Sequence, residues 1–316
     1  MTEVDLRIPY GNVEKDRNIH LKYHGHDSID KYNINSDILK NTNWRWLTDE
    51  IDYNFNNHGF RCDFDFADDF DFSNYVVFVG CSHIEGLGVD VNSTIPALFE
   101  SITNQPVINM GMGGASNEVI FQNIIWLLSR KHRPKRIVVC WTSLYRDLWF
   151  HKDMSTEFLN ANFSGTPNRS ADRLSKLEFK DYVHYEYFTS YIERTSFAHF
   201  EMISRMKEVG VYAFNFFSTH CYEHLANTNL RHMFLDKFNV GSNVMQEYFN
   251  YRDDQHRRVF IGEIDLVDLL NSDYGRDLFN LDPTLKSQRY LSVNAHHGPV
   301  PNKILANFVS ENIELL

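Results

Sequence analysis

The stretch Tyr75-Val-Val-Phe-Val-Gly-Cys-Ser-His83 decides how the chain is read. Four consecutive apolar residues, Val76 to Val79, three of them β-branched valine, are too short for a helix and do not alternate with polar residues. Such a run fits a strand buried on both faces of a parallel sheet. Gly80 ends it, and Ser82 then stands on the turn that leaves the strand.

Working outward, the same apolar signature returns at Pro106-Val-Ile-Asn109, at Arg136-Ile-Val-Val-Cys-Trp141 and at Val211-Tyr-Ala-Phe-Asn-Phe-Phe217. Helical patterns separate these runs. Ser93 is placed to cap a helix over Thr94 to Thr103, in which Pro96 falls in the first turn, where its missing N–H costs nothing. The turn Gly111-Met-Gly-Gly114 opens a second helix from about Asn117 to Lys131, with Ile120, Ile124, Leu127 and Leu128 at helical spacing and Pro134 beyond its end. A third pattern runs from about Phe179 to Val209. The last covers Asn302 to Leu315, where Ile304, Leu305, Phe308 and Val309 form one apolar face.

Alternating strands and helices predict an α/β fold, a three-layer sandwich with a mainly parallel sheet. Functional loops are then expected at the carboxyl ends of the strands. Ahead of the sheet, Ile51 to Phe60 alternates apolar and polar residues before a turn at His58-Gly59, which reads as a β-hairpin in an N-terminal extension over residues 1–74. Residues 75–316 form the α/β domain. Two stretches break the alternation, the polar and irregular 147–178 and the mixed charged and aromatic 220–275, and both are read as insertions.

Composition narrows the function classes. The 316 residues include 43% hydrophobic and 23% charged residues, as in a folded globular chain, and a net charge of −11 from 31 Lys+Arg against 42 Asp+Glu. With no basic cluster to neutralise phosphates, nucleic acid is not an expected partner. No apolar run reaches the ~18 residues of a membrane span, and the charged start, Met1 to Tyr10, reads as no signal peptide. The four cysteines, Cys62, Cys81, Cys140 and Cys221, lack paired metal spacing and are expected as reduced thiols in a reducing compartment. Phe, at 25 residues, is read as core filling.

For chemistry, Ser82 is the candidate nucleophile. A serine hydroxyl is nearly inert unless a histidine, itself held in one tautomer by a third group, takes its proton. Asn294-Ala-His-His-Gly-Pro299 supplies two histidines just before the terminal helix, with an acceptor side chain three residues ahead of His297. Three other constellations read as structural. His220-Cys-Tyr-Glu-His224 is not a metalloprotease helix motif, Asp63 to Asp71 lacks the glycine and terminal Glu of a calcium loop and reads as a solvated acidic face, and Gly111 to Gly114 does not spell a dinucleotide fingerprint.

Val79-Gly-Cys-Ser-His83 and Asn294-Ala-His-His-Gly-Pro299 resemble blocks I and V of the SGNH, or GDSL-type, hydrolases, and Ile108-Asn-Met-Gly-Met-Gly-Gly-Ala115 resembles block II. The resemblance spans residues 75 to about 310. It implies a flavodoxin-like sheet and a serine esterase without cofactor or metal, acting on an acylated small molecule or glycan, acetyl esters above all. It also implies a role for each residue: Ser82 as nucleophile, His297 as base with His296 as the alternative, and the N–H groups of Ser82 and Gly114 as oxyanion donors. The segment Asn56-Asn-His-Gly-Phe-Arg61 is similar to a lead-in found in some bacterial and phage members.

The chain departs from the family pattern at three places. Cys81 replaces the block I Asp, as in phage-type members reading Gly-Cys-Ser-His. Asn294 stands where the family has the Asp that orients the base; an amide orients an imidazole but adds no charge to stabilise the imidazolium. With His296 as base, Val293 would occupy that position and orient nothing. The block III Asn is missing from Cys140-Trp-Thr-Ser-Leu-Tyr-Arg146, which leaves Thr142, Ser143 or Arg146 to complete the oxyanion hole, Ser143 being the candidate. These departures keep two other expectations open. One is a structural or binding protein on the same sandwich, such as a virion component with assembly partners, and the other is an O-acyltransferase using the same triad. Cytoplasmic or virion-associated localisation follows from the lack of a signal peptide.

Overall fold

The computed structural model describes residues 20–21, 40–41, 51–142, 146–150, 156–160, 198, 212–217 and 299–313. Among them, β1 (His20–Leu21) and β2 (Tyr53–Asn54) form a short antiparallel pair, followed by β3 (Val76–Gly80), α1 (Ser82–Glu85), α2 (Ile95–Thr103), β4 (Val107–Gly111), α3 (Asn117–Ser129), β5 (Arg136–Trp141), β6 (Arg146–Phe150), β7 (Thr156–Asn160), β8 (Tyr212–Phe217) and α4 (Pro299–Asn312).

The central sheet has the order β4-β3-β5-β8 and every pair in it is parallel. Counted along the chain, that is 2-1-3-4, the flavodoxin-like arrangement. The sheet is covered on both faces, which is why β3 and β5 are buried at every position and do not alternate. Val77, Val79, Ile108, Met110, Ile137 and Val139 pack on one side against Val119, Ile120, Ile124 and Leu127 of α3. Successive strand residues point to opposite faces, and Phe78 meets Phe99 of α2 on the other side, ring centroids 5.2 Å apart. The terminal helix α4 packs against α2, and Asn302 ties it to the turn before α2 by donating to Ser93 O at 2.9 Å. Helix, sheet and helix make the three-layer α/β sandwich expected.

Several local expectations are adjusted. Thr94, not Ser93, caps α2: its Oγ1 accepts from Ala97 N at 3.4 Å, because Ser93 Oγ donates to Asp90 Oδ2 at 2.7 Å within the 3-10 turn Val91–Ser93. The turn at His58-Gly59 forms, with Gly59 at φ 77°, but β2 pairs with β1 and not with the residues after the turn. Phe60, Phe66 and Phe72 of the N-terminal segment join the core beneath α3 together with Trp126. Within 147–178, β6 and β7 pair antiparallel where an irregular stretch was expected, in keeping with the β propensity of Leu148-Trp-Phe150 and Phe158-Leu159. The acidic stretch presents Asp63, Asp65, Asp68, Asp69 and Asp71 to solvent while Phe66 and Phe72 face inward, a solvated acidic face. The helical pattern at 179–209, apart from Ala198, and the segment 220–275 with His220 and His224 lie outside the described residues.

Candidate active site

In a sheet of order 2-1-3-4 the chain leaves the first strand toward one edge and later crosses back to the other side, so a crevice opens between the first and third strands at their carboxyl ends. These strands are β3 and β5. Their register pairs Gly80 with Cys140, and β3 with β4 pairs Gly80 with Gly111. Ser82 and Thr142 thus each follow their paired residue by two positions, and Gly113-Gly114 leave β4 at the same end. The strand order therefore brings Ser82, Gly113-Gly114 and Thr142 to one end of the sheet.

Ser82 is the first residue of α1, a single helical turn, and is 3% exposed. Close packing fixes where this turn sits. Gly111 lies so near α1 that a Cβ there would fall 2.1 Å from Glu85 N and 2.5 Å from Ile84 C. From the same strand, Asn109 Nδ2 donates to Ile84 O at 2.9 Å while its Oδ1 accepts from Gly111 N at 2.9 Å. Met112 N donates to Gly80 O at 3.0 Å, joining the block II turn to the end of β3. Gly114, at φ 78°, is half-buried, and its N–H has no acceptor among the described residues.

Thr142, just beyond β5, is held by a residue that the sequence reading passed over. Asn117, the first residue of α3 and 1% exposed, accepts from Thr142 N at 2.9 Å through Oδ1 and donates to Thr142 O at 3.2 Å through Nδ2. One side-chain amide thus takes both backbone groups of Thr142, whose buried hydroxyl has no hydrogen-bond partner among the described residues. A polar residue at the first turn of a helix after a glycine-rich loop was the available signal. Its long-range partner was not.

Asn294, His296, His297 and Ser143 lie outside the described residues, and so does the side chain of Arg146. Ser82 and Gly114 are brought to the same end of the sheet. Among the described residues, no group of three or more His, Cys, Asp or Glu is arranged to hold a metal ion, and no helix is long and apolar enough to cross a membrane. Cys81 and Cys140 are buried thiols and Cys62 is a half-buried one. Two clefts of about 260 and 310 Å³ adjoin the N-terminal segment, the larger bounded by Asp52, Asn54, Arg61, Asp63, Asp90 and Val91; neither is lined by Ser82.

No protein-family model and no curated protein matches the chain. Among solved structures, it is similar to AlinE4, an esterase of the SGNH-hydrolase family, at 14% identity over 53% of this chain and 74% of that one, with a TM-score of 0.30. It is also similar to a protein of the lipolytic G-D-S-L family from Desulfitobacterium hafniense DCB-2, at 12% identity over 45% of this chain and 77% of that one, with a TM-score of 0.23. Likeness at this level does not decide chemistry, which rests on the residues at the strand ends.

Proposed function

We propose that the chain is an SGNH-like serine ester hydrolase that removes acyl groups, with acetyl esters of a glycan as its substrate class. The observation that carries the reading is the position of Ser82: it follows the first strand of a 2-1-3-4 sheet, at the crevice where such sheets bind ligands, beside the Gly114 turn. In the proposed reaction Ser82 Oγ attacks the acyl carbonyl as His297 takes the hydroxyl proton, and Asn294 orients the imidazole. The N–H groups of Ser82 and Gly114, with Ser143 as third donor, hold the oxyanion. Collapse of the tetrahedral intermediate breaks the C–O bond, the departing alkoxide receives the proton from His297, and water then cleaves the acyl-serine to release the acid and restore Ser82.

The test is hydrolysis of p-nitrophenyl acetate together with labelling by a fluorophosphonate probe. Wild type should turn over the ester and carry one adduct, on Ser82, and Ser82→Ala should lose both. Wild-type hydrolysis retained by Ser82→Ala would refute the mechanism. A second reading, a binding scaffold on the same fold, is favoured by the low exposure of Ser82, 3%, and of Thr142, 0%. Under that reading the wild type shows neither turnover nor adduct.

A further inference from the structure

Arg61 closes the segment Asn56-Asn-His-Gly-Phe-Arg61 and is 2% exposed. Its guanidinium reaches four backbone carbonyls. Nη1 donates to Glu85 O at 3.3 Å and Gly86 O at 2.7 Å, and Nη2 donates to Asp52 O at 2.8 Å and Val89 O at 2.9 Å. Three of these acceptors, Glu85, Gly86 and Val89, belong to the end of α1 and the chain that leaves it. The guanidinium carbon also sits 4.2 Å from the Tyr53 ring centroid, and Tyr53 Oη accepts from Gly88 N at 2.7 Å. The loop from Glu85 to Val89 is thus gripped at four residues by two N-terminal side chains.

That grip is aimed by the segment itself. Asn56 Oδ1 accepts from His58 N at 3.0 Å and Phe60 N at 3.1 Å, and Asn56 N donates to Phe60 O at 2.9 Å, closing the turn that delivers Arg61. Burying a cation is costly where an apolar residue would serve for packing. Burial pushes the Arg61 pKa below its ordinary value, with Tyr53, Glu85, Asp90 and Asp63 opposing that shift. A planar fork of donors spans separated carbonyls in a way a lysine ammonium does not. A one-turn helix, moreover, has little stability of its own, because nucleation is the costly step, and a cation at its last carbonyls supports it. Gly86, at φ 79°, takes the left-handed turn that presents those carbonyls, and a Cβ there would fall 2.3 Å from Thr94 Cγ2.

We propose that Arg61, seated on Tyr53, is a positioning residue for the reaction: by clamping the loop behind α1 it holds Ser82 at the carboxyl end of β3. This role rests on the ester-hydrolase reading. The test uses the full chain with Arg61→Lys and, as the milder variant should the first fail to fold, Tyr53→Phe, which removes the Gly88 acceptor and keeps the ring under the guanidinium. Hydrogen exchange reads the clamp directly, since the amides of Gly86, Leu87, Gly88 and Val89 are all hydrogen-bonded. Both variants should speed exchange at residues 86–89, about 10-fold or more for Arg61→Lys, while the amides of β3 and β4 keep their protection. They should also lower kcat for p-nitrophenyl acetate and slow fluorophosphonate labelling of Ser82, by about 10²-fold for Arg61→Lys, with KM within about two-fold, as for a misplacement of ~1 Å at the reacting group. Unchanged exchange at 86–89 overturns the clamp. Faster exchange with unchanged kcat and labelling reduces Arg61 to a structural role and overturns the proposal. A wild type that neither hydrolyses nor labels overturns the hydrolase reading and this role with it, a result distinct from loss in the variants alone.

Discussion

Replacing Gly111 by Ala tests whether close packing between β4 and α1 sets the position of Ser82. The added Cβ would fall 2.1 Å from Glu85 N, 2.5 Å from Ile84 C and 2.8 Å from Glu85 Cα, all backbone atoms of α1. No rotamer change relieves a clash with backbone, so the turn itself must retreat from the strand by about 1 Å to regain ordinary contact. Overpacking of this kind costs about 1–3 kcal/mol or more, which corresponds to a fall in Tm of roughly 2–10 °C for a chain of this class. The same retreat carries Ser82 with it, and a displacement near 1 Å at a reacting group costs about 10²-fold in turnover. Gly80→Ala provides the contrast: its Cβ would fall 2.5 Å from Ile84 Cγ1, the movable part of a side chain, with Cys140 Cβ and O at 3.1 Å. The assays are thermal denaturation by circular dichroism and the initial rate on p-nitrophenyl acetate. If Gly111→Ala melts within 1 °C or so of wild type and keeps its rate, the turn is not held by this contact and the reasoning fails.

Asn117→Ala should orphan the buried N–H and C=O of Thr142, at about 1–3 kcal/mol each, so the urea-unfolding free energy should drop by about 2–6 kcal/mol; a loss under about 0.5 kcal/mol would mean that other groups serve Thr142. Cys62 supplies a pH dependence. Burial raises its thiol pKa from 9.0 to about 11, so the folded state holds the proton more tightly than the unfolded one, and the associated stability is complete below pH 9 and lost as pH rises through about 11. At most about 3 kcal/mol is at stake. Comparing urea midpoints at pH 8 and pH 11 should show a steeper decline in wild type than in Cys62→Ala, and parallel declines would contradict the assignment.

The central sheet was legible because its strands are short apolar runs that end in glycine or a polar turn, and burial on both faces removes any need for alternation. The starts of α2 and α3 were legible to within a residue, whereas α4 begins at Pro299, ahead of the expected Asn302. Ser93 and Thr94 are both good caps, and only the hydrogen bond from Ser93 to Asp90 decides between them. Ser82 and Gly114 stand out as residues on strand-leaving turns. Asn117 and Arg61 do not, because they hold backbone 24 to 28 residues away, at Thr142 for Asn117 and at Glu85, Gly86 and Val89 for Arg61. A side chain that caps a distant carbonyl leaves no periodic trace in the sequence.

Local chemistry, then, determined by itself the strand and helix alternation, the doubly covered parallel sheet and the serine at the end of its first strand, since apolar runs, caps and glycine turns act over a few residues. Tertiary structure alone decided the seating of α1 against Gly111, the Asn117 hold on Thr142 and the Arg61 clamp behind the serine. All of these depend on which backbone groups are left unpaired once the layers pack. Buried carbonyls and amides must find partners wherever the fold brings one within reach, and that reach is a property of the folded chain.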